Sequence, residues 1–97
     1  MNVQCDQIFF SRHAITRMFE RSISRHEVQE VLQTGETVED YPNDKPFPSC
    51  LMLGFIENRP LHVVVAVEDS TKTCYIITAY DPDPLLWESD FRTRRTP

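Results

Sequence analysis

The sequence predicts an α+β domain: two N-terminal helices packed on one face of an antiparallel sheet of about four strands. Three observations carry this. Residues 61–80 set two runs of strand-forming residues back to back around a short polar break, and residues 11–35 hold two amphipathic stretches with helix-capping residues ahead of them. The length of 97 residues, 40% of them hydrophobic, suits one core and therefore one domain over residues 1–97.

Residues 1–10 are a lead-in whose end, Ile8, Phe9 and Phe10, is apolar enough for a short strand or a core anchor. Ser11 is placed to cap the first helix, since its hydroxyl can accept from an orphan backbone N–H, and Phe10 with Ile15 has the spacing of a hydrophobic staple. That helix is expected over residues 12 to about 21. At the helical period Ala14, Ile15, Met18 and Phe19 form its inward stripe, with His13, Thr16, Arg17, Glu20 and Arg21 on the outer side. Ser24 and Glu27 make a capping-box pattern for a second helix over residues 25–34, with Val28, Val31 and Leu32 inward and Gly35 ending it. Only residues 22–24 separate the two, which demands a tight helical corner.

Strands are expected over residues 37–41 and 49–57. The connection between them carries Pro42, Pro46 and Pro48, which cannot donate to a ladder and mark an irregular loop. Asn58, Arg59 and Pro60 turn the chain into the central hairpin, whose strands, residues 61–67 and 74–80, have the composition of strands covered on both faces. A turn centred near Thr71 sets His62 opposite Tyr80, Val64 opposite Thr78 and Ala66 opposite Ile76, all on one face. Beyond Tyr80, Pro82 and Pro84 end strand pairing. Leu85, Leu86 and Trp87 are expected to dock on the core through one helical turn, and the basic tail, residues 91–97, to fray.

The net charge of −5 argues against nucleic-acid binding over the whole surface, but the charge is uneven. Arg12, Arg17, Arg21 and Arg25 crowd the N-terminal quarter, Arg92, Arg94 and Arg95 the C-terminal end, and the acids lie between. If the fold joins the two basic ends they make one patch. Cys5, Cys50 and Cys74 are odd in number and widely spaced, so neither a disulfide framework nor a zinc site is expected, and Cys50 and Cys74 read as reduced strand residues. No apolar run is long enough to span a bilayer and no secretory signal opens the chain, so a soluble, cytoplasmic protein without membrane contact is expected.

Three groups could carry chemistry. His13, Arg17 and Arg21 stand one turn apart on one stripe of the first helix, either an anion-binding row suited to phosphate or a solvated face partly neutralised by Glu20. His62, Thr78 and Tyr80 gather at strand ends, where histidine can move a proton near neutral pH and tyrosine can donate to developing charge, or where all are hydrogen-bonded rim residues. Trp87 with Arg92, Arg94 and Arg95 is the third, a core aromatic beside either more phosphate ligands or a solubilising tail. With Gly35 and Gly54 alone no nucleotide-binding loop can form, and His13, His26 and His62 lack metal-ligand spacing, so no cofactor and no metal are expected.

The motifs F-S-x-H-A-x-x-R-M, L-H-V-V and T-A-Y-x-P, read here as FSRHAITRM, LHVV and TAYDP, resemble those of a small bacterial family catalogued as a domain of unknown function, over residues 9–95. That family looks like a distant relative of the RelE and MqsR type toxins. The resemblance implies two helices followed by an antiparallel sheet, an RNA substrate, an antitoxin-like protein partner, and metal-independent cleavage in which a 2′-hydroxyl attacks the adjacent phosphate. On matching positions it makes His13, His62 and Tyr80 the proton-moving residues and Arg17, with Arg21 second, the phosphate holders; Arg92 joins them from the basic tail. The runner-up is a module of the same fold that binds protein or nucleic acid without catalysis.

Overall fold

The computed structural model describes residues 3–96. The elements run β1 (Gln7–Phe10), α1 (Arg12–Glu20), α2 (Arg25–Thr34), β2 (Glu36–Tyr41), β3 (Ser49–Ile56), β4 (Arg59–Glu68) and β5 (Thr73–Tyr80). The α+β class stands, with two corrections to the sheet. It has five strands in the order β1-β5-β4-β3-β2, and it is mixed, because β1 lies parallel to β5 while every other pair is antiparallel.

Both helix starts follow from local chemistry. Ser11 Oγ accepts from Ala14 N, and Ser24 and Glu27 complete a reciprocal capping box. The corner between the helices is a Schellman turn: Ser22 takes φ 56°, and Ile23 N reaches back to Met18 O at 2.8 Å. This delivers Ile23 to the core beside Ala14 and Met18, and it leaves Phe19, expected inside, 85% exposed. The buried stripe of α1 is narrower than its periodicity suggests because α1 packs on β5, the strand next to the β1 edge of the sheet.

α2 sits over β3 and β4, and its approach requires glycine at two points. A Cβ on Gly54 would stand 2.7 Å from Val31 Cγ2, and one on Gly35 2.6 Å from both Val31 O and Leu53 O. The helices bury one sheet face, whose inward residues include Met52, Leu61, Val63, Val65, Ile76 and Ala79. Alternation sends Leu51, Leu53, His62, Val64 and Tyr80 to the other side, called here the far face.

Two bulges shape the far face. The register slips between Val64 and Val65, so that Val64 pairs with Thr78 and Val65 with Ile76, leaving Ile77 as the extra residue. His62 therefore faces Tyr80 as expected, but Ala66 faces Tyr75 rather than Ile76. In β2 the slip between Thr37 and Glu39 brings Glu36 opposite Leu53 and Glu39 opposite Leu51, both far-face positions. Without it, residues three apart would point to opposite sides.

The C-terminal strap, residues 82–96, lies across the far face, and the tail does not fray within the described residues. The helical turn after Asp83 forms, with Leu86 N and Trp87 N bonded to Asp83 O, but only Trp87 docks; Leu85 and Leu86 stay exposed. The chain then folds back: Glu88 N donates to Thr93 O, Arg95 N donates to Leu86 O, and Trp87 bridges Arg94. The expectation that Cys74 is reduced is corrected too, whereas that for Cys50 stands. Cys5 is disulfide-bonded to Cys74, because the parallel docking of β1 on β5 carries the preceding segment alongside that strand, while Cys50 is free and buried.

Candidate functional site

The open end of the central hairpin gathers a connected polar cluster. The His62 side chain is fully buried; its Nε2 lies 2.8 Å from Phe91 O and its Nδ1 3.4 Å from the Tyr80 hydroxyl. A carbonyl only accepts, so Nε2 carries the proton and Nδ1 accepts from Tyr80. Trp87 covers the imidazole edge-on, with ring centroids 4.7 Å apart. Arg94 stacks on Trp87 at 4.6 Å and pairs with Glu39 at 3.1 Å, and Glu39 also accepts from the Tyr41 hydroxyl at 2.7 Å.

Electrostatics follow from these contacts. Burial holds His62 below its ordinary pKa, against the hydrogen bond to Phe91 O, so the ring is neutral near pH 7. Burial likewise pushes the Tyr80 phenol up, and the Tyr41 hydrogen bond pulls Glu39 down. The cluster is thus a neutral imidazole and a protonated phenol, bordered by one compensated carboxylate.

Arg21 reaches the same end from the helix layer. β1 stops at Phe10 opposite Ile76, leaving the border of β5 open beyond it, and Arg21 Nη1 fills that border by donating to Ala79 O at 2.9 Å and Thr78 Oγ1 at 3.3 Å. The structure therefore groups His62, Thr78, Tyr80 and Arg21. It does not bring His13 and Arg17 to them. His13 and Arg17 are exposed on α1, which packs on the helix face, and the sheet lies between them and the far-face imidazole. Arg17 pairs with Glu20 at 3.2 Å.

Arg92 lies with the strap and pairs with Glu36 at 3.1 Å, while Arg95 pairs with Glu88. The C-terminal arginines thus neutralise acids of β2 and of the strap, and do not merge with those of α1 into one patch. A groove of about 370 Å³ on the far face, lined by Phe47, Ala66, Tyr75 and Ile77 among others, reaches none of the expected proton-moving residues. Among the described residues no cluster of three His, Cys, Asp or Glu could hold a metal, and no helix is long and apolar enough to cross a membrane.

Sequence reasoning missed Glu39, Tyr41 and Arg59. The β2 bulge hid the first two, and a tail expected to fray gave no reason to seek partners for them in Arg92 and Arg94. Arg59, read as a turn residue, grips Asp81 through two hydrogen bonds of 2.6 and 3.0 Å and also donates to Arg21 O and Ser22 O at the end of α1. It ties both layers together at the site's border.

No curated protein and no solved structure matches the chain. Residues 10–81, which hold α1, the helical corner and every strand from β2 to β5, match the family model described as a domain of unknown function, DUF4258, and the chain belongs to that family.

Proposed function

We propose that the domain binds RNA along the outer flank of α1, as a module on the plan of the RelE-like toxins its motifs resemble, and without the two-histidine chemistry expected from the sequence. The observation that carries this reading is the composition of that flank. The side chains of Arg12 and His13 have no hydrogen-bond or ion-pair partner among the described residues, Arg17 holds only an exposed glutamate, and Phe19 stands exposed two turns beyond Arg12. Exposed arginines supply phosphate contacts, and an exposed aromatic ring supplies a face on which a base can stack. An antitoxin-like protein would act by covering the same flank.

A second reading, metal-independent cleavage of RNA, has one observation in its favour: Tyr80, neutral His62 and Arg21 stand together at one strand end. In that scheme Tyr80 meets the reacting oxygen and His62 exchanges its proton through Nδ1, both uncovered when the strap lifts. His13 has no part in it.

One assay separates the readings. A labelled single-stranded RNA is titrated with the protein over a salt series, and the RNA is then recovered. Salt-sensitive binding with intact RNA supports the binding module. Fragments ending in a 2′,3′-cyclic phosphate, absent with Tyr80→Phe, support cleavage. No binding even at low salt sinks the RNA assignment altogether.

A further inference from the structure

We propose that the surface beneath the C-terminal strap is a docking groove for a segment of another protein that presents an aromatic ring, a backbone carbonyl and an arginine, and that the strap is its resident competitor. This groove lies on the opposite sheet face from α1 and its arginines.

The strap is built to leave as a unit. Its backbone hydrogen bonds are internal, from the turn at Asp83 to the Arg95–Leu86 closure, and among the described residues none joins its backbone to that of the sheet. It is held by the Trp87 ring, by the Phe91 carbonyl on His62 Nε2, and by two ion pairs, Arg92 with Glu36 and Arg94 with Glu39. Those pairs are a third to over half exposed, and exposed pairs hold weakly.

The hold is also strained. Phe91 takes φ 57°, a left-handed backbone conformation that a bulky side chain rarely adopts, and that conformation accompanies a carbonyl aimed at the buried Nε2–H. A ligand in ordinary extended backbone could offer the same oxygen without that cost.

What the strap leaves behind defines the partner. Lifting it exposes a donor at His62, a hydroxyl at Tyr80, an apolar floor around Leu53, and the carboxylates of Glu36 and Glu39. Two carboxylates repel a nucleic-acid backbone and attract a basic peptide. The strap's own Trp87 and Arg94, stacked on one another, show the side-chain pattern that fits.

The test reads the accessibility of His62 by modification with diethylpyrocarbonate and mass spectrometry, with exposed His13 and His26 as references in the same chain. The parent should show His62 protected. Arg94→Glu should raise its modification rate at least tenfold while amide exchange of Val63 and Val65 in β4 stays slow. A synthetic peptide of residues 82–96 should restore protection in that variant. Arg92→Ala, a milder loosening made on the strap and not on the groove, should give a smaller rise with the same rescue and serves if Arg94→Glu fails to fold. His62 exposure that appears only together with loss of amide protection in β4 overturns the lid. Exposure without rescue by the peptide overturns the groove, as does rescue by single-stranded RNA in place of the peptide.

Discussion

His62 Nε2 donates to the carbonyl of Phe91 across 2.8 Å, joining β4 at the open end of the hairpin to a residue almost thirty positions later through a side chain with no solvent exposure. A protonated imidazole could no longer accept from Tyr80, and burial disfavours its charge, so the folded pKa lies below the ordinary value. As the pH falls, the unfolded chain therefore takes up the proton first. This contribution to stability is complete above the ordinary histidine pKa of about 6.5 and is lost as the pH drops from there toward the lower folded value. Thermal melts should show a lower midpoint at about pH 5 than at about pH 7.5, and His62→Gln should shrink that difference. Equal pH dependence in parent and variant would remove His62 as the cause.

The contact between Gly54 and Val31 sets the distance of α2 from the sheet. A methyl group at Gly54 would meet Val31 Cγ2 at 2.7 Å and Val31 Cα at 3.2 Å, and neither atom is the end of a flexible chain. Gly54→Ala should cost about 1–3 kcal/mol by overpacking. Urea unfolding should show a lower midpoint at an unchanged slope.

The cysteine pairing is checked by counting thiols. In denaturant without reductant only Cys50 should react, and all of Cys5, Cys50 and Cys74 should react after reduction. The bridge spans 69 positions of sequence, so removing it with Cys5→Ser and Cys74→Ser should lower stability by roughly 2–4 kcal/mol.

For the α1 flank, Arg12→Ala and Arg17→Ala should each weaken RNA binding across all sequences and reduce the slope of log affinity against log salt by about 1 per lost phosphate contact. Their melting temperatures should stay close to the parent's, because both side chains are exposed. Arg92→Ala should leave RNA affinity unchanged, since Arg92 pairs with Glu36 on the other face. Loss of affinity with Arg92→Ala would instead place RNA on the far face.

Much of this architecture was legible in the residues. Ser11, Ser24 and Glu27 announced both helices, because a cap depends on neighbours three positions away. His62 and Tyr80 were correctly paired, because their register depends on the turn and on the end of the ladder they share. What lay hidden were features with no local signature. Two extra residues, Val38 and Ile77, shift one side of a strand relative to the other, and nothing in an alternating pattern marks where that happens. Phe19 is apolar at a plausible inward position yet faces water, since the width of a buried stripe is set by where a helix rests on the sheet. The same holds for Cys5 and Cys74, which only the β1–β5 pairing brings together. At the candidate site the residue types were found, but not that Phe91 would seal His62, or that the sheet would stand between His62 and His13.

β1 has its ladder partner in β5, the last strand of the sheet. During synthesis the helical corner can form early and the β3, β4, β5 meander can zip up from its turns, both through contacts close in sequence. The first strand must wait for the last. Closing a contact across most of the chain is slow, and until Thr73 and its successors emerge, Ile8, Phe9 and Phe10 have no ladder to join. A chain interrupted before β5 would leave that apolar strand unpaired and open to its neighbours, the kind of exposed edge through which incomplete chains aggregate.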